Sequence, residues 1–125
     1  MKKITFTIKG ELPDLNSYIQ AERGNRFKAA KIKKEATDTV HWEAKAASLP
    51  HVLPEEYPVI VHVNWFSKDE RKDVDNVRFA MKFVLDGLVS AGVIENDSRK
   101  FVEDVSDSFQ VDRKNPRCEV TIYPS

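Results

Sequence analysis

The sequence predicts an α+β domain, a small mixed sheet covered by helices with elements in the order β-α-β-α-β-β. Three observations carry that expectation. Stretches near 3–9, 59–66 and 117–123 place apolar residues at every second position, the period of a strand. Stretches 28–48 and 77–91 contain no proline and repeat apolar residues at three-and-four spacing, the period of a helix with one buried face. The two patterns interleave with no internal repeat, and 125 residues suffice for one domain, 1–125, with one core.

In chain order, Ile4, Phe6 and Ile8 alternate with Lys3, Thr5 and Thr7, giving a half-buried first strand. The segment 10–18 reads as a turn-rich loop, and 21–28 as a basic, glycine-containing one. Arg23, Arg26 and Lys28 suit contact with a phosphate backbone, or are simply the solvated side of that loop. The first long helix, 28–48, stacks Ala29, Ile32, Ala36, Val40 and Ala47, with Thr39 and Trp42, in one stripe and leaves Lys31, Lys33 and Lys34 on a charged face. Pro50, Pro54 and Pro58 punctuate a connector to the second strand, Val59 to Phe66, whose two faces both carry apolar residues, as in a strand covered by helices. A third strand runs from Lys100 to Val111, 112–116 turns, and the last strand alternates Cys118, Val120 and Ile122 against Glu119 and Thr121.

Between the second and third strands lies the stretch with the most chemistry, Lys72 to Asp97. Asp73 and Asp75 precede a helix whose apolar positions are Val77, Ala80, Met81, Val84, Leu88 and Ala91, with Gly92 as its stop. Either Asp75 or Asn76 suits its cap. On extended backbone an Asp-x-Asp pair points both carboxylates one way, and a hard divalent cation with oxygen ligands relieves their repulsion. Taken alone, the pair also reads as a capping aspartate and a solvated neighbour. Lys82 follows Asp75 by seven residues, nearly two turns at about 3.6 residues each, which sets it on the same helical face. Asp97 follows the helix stop, where a reversed chain returns toward other elements. An EF-hand starting at Asp73 fails, because it requires Gly and Glu where Arg78 and Val84 stand. Arg71 and Lys72, just ahead, either draw phosphates toward the pair or offset its charge. Glu103, Asp104 and Asp107 are rival carboxylates without a helix cap or partner lysine, and His41, His51 and His62 have no second histidine at metal-ligand spacing.

Acidic and basic residues balance overall, but residues 1–34 hold nine basic against three acidic side chains, so one end suits phosphates while the other suits a metal. No apolar run reaches membrane-spanning length, no signal-peptide pattern opens the chain, and a single cysteine, Cys118, fits a reducing cytoplasm.

The order Asp-x-Asp-Asn, helical lysine, Asp86-Gly87-Leu88, then Gly92-Val93-Ile94-x-x-Asp97 resembles the RusA family of Holliday junction resolvases, most specifically from Lys72 to Asp97. The resemblance implies a small mixed α/β fold and a homodimeric endonuclease, cytoplasmic in a bacterial host and often prophage-encoded. It implies a catalytic set of Asp73, Asp75, Asp97 and Lys82, with Mg²⁺ (or Mn²⁺) on the three aspartates. The substrate implied is branched DNA, a four-way junction, held by Arg23, Arg26, Lys28, Arg71 and Lys72. Two departures stand out: the lysine follows the second aspartate at a longer interval than in the family's pattern, and Asn96 stands where Asp-Asp is frequent. Two other readings follow from the same residues, a less selective branched-DNA nuclease and a non-catalytic DNA-binding phage accessory protein.

Overall fold

The computed structural model describes residues 2–125. It comprises β1 (Ile4–Lys9), α1 (Leu15–Gly24), α2 (Arg26–Ala46), β2 (Val59–Ser67), α3 (Val74–Arg78), α4 (Met81–Ser90), β3 (Val102–Val111) and β4 (Arg117–Pro124), with a single 3-10 turn at Pro54–Glu56. The expected order holds, with a further helix ahead of the first expected one and the second expected helix divided in two. The four strands form one mixed sheet in the order β1-β4-β2-β3. β4 pairs antiparallel with both β1 and β2, and β2 pairs parallel with β3 through the α3–α4 crossover. β3 and β4, consecutive in sequence, therefore flank β2 rather than each other.

One face of the sheet makes the core. Ile4, Phe6 and Ile8 from β1, Val59, Val61, Val63 and Trp65 from β2, and Cys118, Val120 and Ile122 from β4 meet Ala36, Val40 and Ala44 of α2 and Phe83, Val84 and Leu88 of α4. The apolar content of both β2 faces does not reflect helices on two sides: Ile60, His62 and Asn64 are only half-buried. His62 there exchanges hydrogen bonds with the Ser106 and Ser108 hydroxyls, at 2.7 and 3.1 Å.

α2 and α4 approach closely because Gly87 has no side chain. A Cβ at that position lies 2.4 Å from Val40 Cβ, so the glycine that weakens α4 as an isolated helix is what seats it against α2. Gly92, with φ 76°, follows the C-cap Ala91, and Val93 N–H donates to Leu88 O at 3.0 Å, closing the helix as its sequence predicts.

Two expectations need correction. Residues 15–24, read as loop, are a helix: Asp14 caps it by accepting from Ser17 N–H at 2.7 Å, and Asn25 caps α2 in turn by accepting from Phe27 N–H, also at 2.7 Å. The helix that follows Asp75 is interrupted at Phe79–Ala80, where Lys82 N–H donates to Phe79 O at 3.2 Å and Phe83 N–H to Ala80 O at 2.9 Å. These shorter loops tighten the turn. The break sets the Phe79 ring among aromatics, 5.3 Å from Tyr18 and 5.6 Å from Phe83.

Candidate functional site

Because β1 is antiparallel to β4 and β4 to β2, strands β1, β2 and β3 all run the same way. Their carboxyl ends, and the loops leaving them, meet at one edge of the sheet, where open α/β sheets build ligand sites. Gly10 N–H donates to Pro116 O at 2.9 Å and Asp112 N–H to Ser67 O at 2.8 Å, tying the three loops together. A crevice of about 300 Å³ lies here, lined by Ser67, Lys72, Val74, Val77, Phe109 and Val111 among others.

Asp73 and Asp75 sit at this edge, at the amino end of α3. Asp73 occupies the cap position but makes no side-chain capping bond, and Asp75 lies in the first turn. Both are exposed, and neither carboxylate has an ion pair or hydrogen bond among the described residues. Exposed Glu70, on the same loop, has no partner among the described residues either, whereas the carboxylates of the surrounding elements are engaged. Asp14, 8 % exposed, receives the Lys72 ammonium at 2.8 Å, and Glu11 stands 3.5 Å from the same nitrogen. Asp107 accepts from Trp65 Nε1–H at 2.7 Å and Arg78 Nε–H at 2.8 Å, joining β2, β3 and α3. Asp112 and Glu119 share Arg117, at 2.8 and 3.0 Å, whose guanidinium lies 3.7 Å from the centre of the Phe66 ring.

These pairs set the local titration. Burial raises the Asp14 carboxyl, but the Lys72 hydrogen bond, Ser17 and the lysine's charge outweigh it, holding Asp14 below its ordinary value. Burial lowers Lys72, and the hydrogen bond and charge of Asp14 with those of Glu11 outweigh that, holding it above. Chiefly the Arg117 hydrogen bond holds the Asp112 carboxyl below the usual carboxylate range.

Lys72 and Asn76 flank the aspartate pair, and both are tied to α1. Lys72 reaches Asp14, and the buried Asn76 accepts from Asn16 N–H at 2.9 Å through Oδ1. Asn76 thus caps α1 rather than its own helix. The loop between these anchors is held while its two aspartates project.

The remaining sequence-predicted residues are spread out. Lys82 is exposed, with its ammonium 3.9 Å from Asp86. Asp97 lies beyond α4 near the amino ends of β2 and β3, where Glu95 N–H donates to Tyr57 Oη at 2.8 Å and Val59 N–H to Phe101 O at 2.8 Å. β2, nine residues and roughly 25 Å long, runs from that end of the sheet to the edge where Asp73 and Asp75 sit. One chain therefore does not bring Asp97 to the pair, and among the described residues no three His, Cys, Asp or Glu side chains gather to hold a metal. Arg23, Arg26 and Lys28 stand exposed at the α1–α2 corner, Arg71 is exposed with Nε 3.8 Å from Asp69, and the charge of Lys72 is matched by Asp14 and Glu11.

Asp14, Glu11 and Asn16 are parts of the site that the sequence does not single out. Asp14 three residues ahead of Ser17 is a helix-capping signal; its bond to Lys72 has no sequence signature. Because α3 begins at Val74, Asp73 and Asp75 do not share the extended backbone that would point both carboxylates one way; as hard oxygen donors without partners they suit Mg²⁺, which takes one or two carboxylates and completes its shell with water and substrate phosphate. A comparison with protein-family models and one with curated proteins each find no match for this chain.

Proposed function

We propose that the protein is a metal-dependent, structure-selective endodeoxyribonuclease that resolves four-way DNA junctions by paired phosphodiester hydrolysis, as a homodimer in the bacterial cytoplasm. The observation that carries this reading is that Asp73 and Asp75 keep partnerless carboxylates at α3's amino end, between two residues anchored to α1, while Glu11, Asp14, Asp107, Asp112 and Glu119 nearby are all paired. Ligands kept free and fixed in place are what a hard cation requires.

Asp73 and Asp75 hold Mg²⁺ or Mn²⁺, which when bound polarises the scissile phosphate and lowers the pKa of an attacking water. Lys72 and Asn76 keep the two carboxylates in position. Lys82 offers an exposed ammonium to the charge that develops on the phosphate oxygens. A two-fold dimer supplies two such sites for two symmetry-related strands, and it gives Asp97 a route to the pair: Asp97 of the partner subunit stands in where the chain's own lies too far.

Cleavage of an end-labelled four-way junction, compared with duplex and flap DNA in Mg²⁺, Mn²⁺ and EDTA, tests the reading. Paired symmetrical nicks in the junction alone, lost in EDTA and in Asp75→Asn, support it. Cutting of all three DNAs demotes the protein to a general branched-DNA nuclease, and binding without cutting to a DNA-binding accessory protein. Mixing inactive Asp75→Asn with inactive Asp97→Asn tests the shared site: the mixed dimer regains one intact site and nicks one strand, whereas sites built within one chain stay dead.

A further inference from the structure

The corner between α1 and α2 exposes a large apolar ring where the chain is most basic. Phe27 is 70 % exposed, the most exposed of the large hydrophobic residues in the described structure. Arg26 lies against it, its guanidinium carbon 5.3 Å from the ring centre, and Arg23 and Lys28 flank it. None of these three cations has an ion-pair partner among the described residues, while nearby Lys31 is within 3.8 Å of Glu35 and Lys34 within 3.0 Å of Asp38. Glu22 is the one acid between Asp14 and Glu35.

We infer that Phe27 is a stacking platform for a nucleobase out of its duplex stack, with Arg23, Arg26 and Lys28 holding the phosphates on either side. The inference rests on the DNA-cleaving reading above and names a residue that fixes which DNA is held. Unpaired cations beside an exposed aromatic are the two components that bind unstacked strands: charge follows the backbone, and the ring takes a base of any sequence. The guanidinium on the ring orients it and extends the flat surface. Position agrees as well. α1 starts against α3, where Asn16 donates to Asn76, and its 10 residues span about 15 Å to the corner. That is roughly four nucleotides of a stacked strand at about 3.4 Å each, so a base at Phe27 and a phosphate at Asp73–Asp75 belong to one branch point.

The test is fluorescence anisotropy of a labelled oligo-dT strand, a blunt duplex and a flap with a single-stranded arm, in EDTA so that nothing is cut. Phe27→Ala is expected to weaken binding of the oligo-dT and the flap by about 10- to 100-fold and duplex binding little, with an unchanged melting temperature. Phe27→Trp keeps the affinity, and Arg26→Gln lowers the salt slope for the single strand by about 0.7. Equal affinities for wild type and Phe27→Ala on every DNA overturn the inference and leave the nuclease reading standing. No binding by the wild type to any of the three overturns the inference, and the nuclease reading falls with it only if a four-way junction is left unbound too. If Phe27→Ala alters only the sedimentation of the free protein, the ring is a protein contact and the inference fails.

Discussion

Replacing Lys72 by methionine keeps the aliphatic stem and removes the ammonium that Asp14 and Glu11 face. Asp14 is then left 8 % exposed with Ser17, through its N–H and its hydroxyl, as its remaining donor. A hydrogen bond to a charged group contributes about 1.5–3 kcal/mol, and because the Lys72 side chain is 32 % exposed the lower end applies, about 1.5 kcal/mol. At about 4 °C per kcal/mol for a chain of this size, the melting temperature at pH 7 drops by roughly 6 °C. The pH dependence is the sharper check. Asp14 has its folded-state pKa depressed, so its contribution is present above the unfolded carboxyl value near 4 and is lost as pH falls through the folded one. Lys72 has its pKa raised, so its contribution is present below about 10.4 and is lost as pH rises through the folded value. The gap between wild type and Lys72→Met should therefore be widest between about pH 5 and 9 and close at both ends. Calorimetry across that range decides it. Melting temperatures that coincide at pH 7, or a gap that does not begin to narrow as the pH is taken down below the ordinary carboxyl range, refute the account of the clamp. In junction cleavage, Lys72→Met should lower kcat by more than it alters junction affinity, because what it loosens is the loop that carries Asp73 and Asp75.

Three further outcomes follow. Asp75→Asn should leave the metal-free melting temperature within about 1 °C of wild type, since the carboxylate has no protein partner and Asn suits a helix start as well as Asp, while abolishing the rise that Mg²⁺ gives the wild type. Gly87→Ala puts a carbon 2.4 Å from Val40; overpacking of about 1–3 kcal/mol exceeds the roughly 1 kcal/mol gained in helix propensity, so thermal unfolding should come several degrees earlier. Burial pushes the Cys118 thiol up to about 12, so a maleimide at pH 8 should label it only after denaturant is added.

Most elements were legible because their period is local. Ile4, Phe6 and Ile8 announce β1, Cys118, Val120 and Ile122 announce β4, and Val84, Leu88 and Gly92 place the end of α4. α1 was missed because its inward stripe, Leu15, Tyr18 and Ile19, is short and only half-buried, and because Pro13 and Gly24 at its ends look like loop punctuation. The break at Phe79–Ala80 carries no proline or glycine; it answers to Tyr18, a residue far away in sequence. The site divides in the same manner. The Asp73–Asp75 pair is visible in the chain, whereas the bonds that hold it, Lys72 to Asp14 and Asn76 to Asn16, join segments that only folding brings together. The placement of Asp97 turned on topology: a reversed chain after α4 returns to the amino end of a parallel strand, away from the aspartates.

The place of β4 in the middle of the sheet has a consequence for how the chain comes off the ribosome. It is the last of the four strands to be made, yet it alone joins β1 to β2. Until it emerges, β1 has no strand to pair with, and β2 with β3 leaves a raw edge beside the core-forming valines, open to other nascent chains. The sheet cannot close piecemeal from the amino end; it closes in one late step, by threading a single strand into a waiting slot.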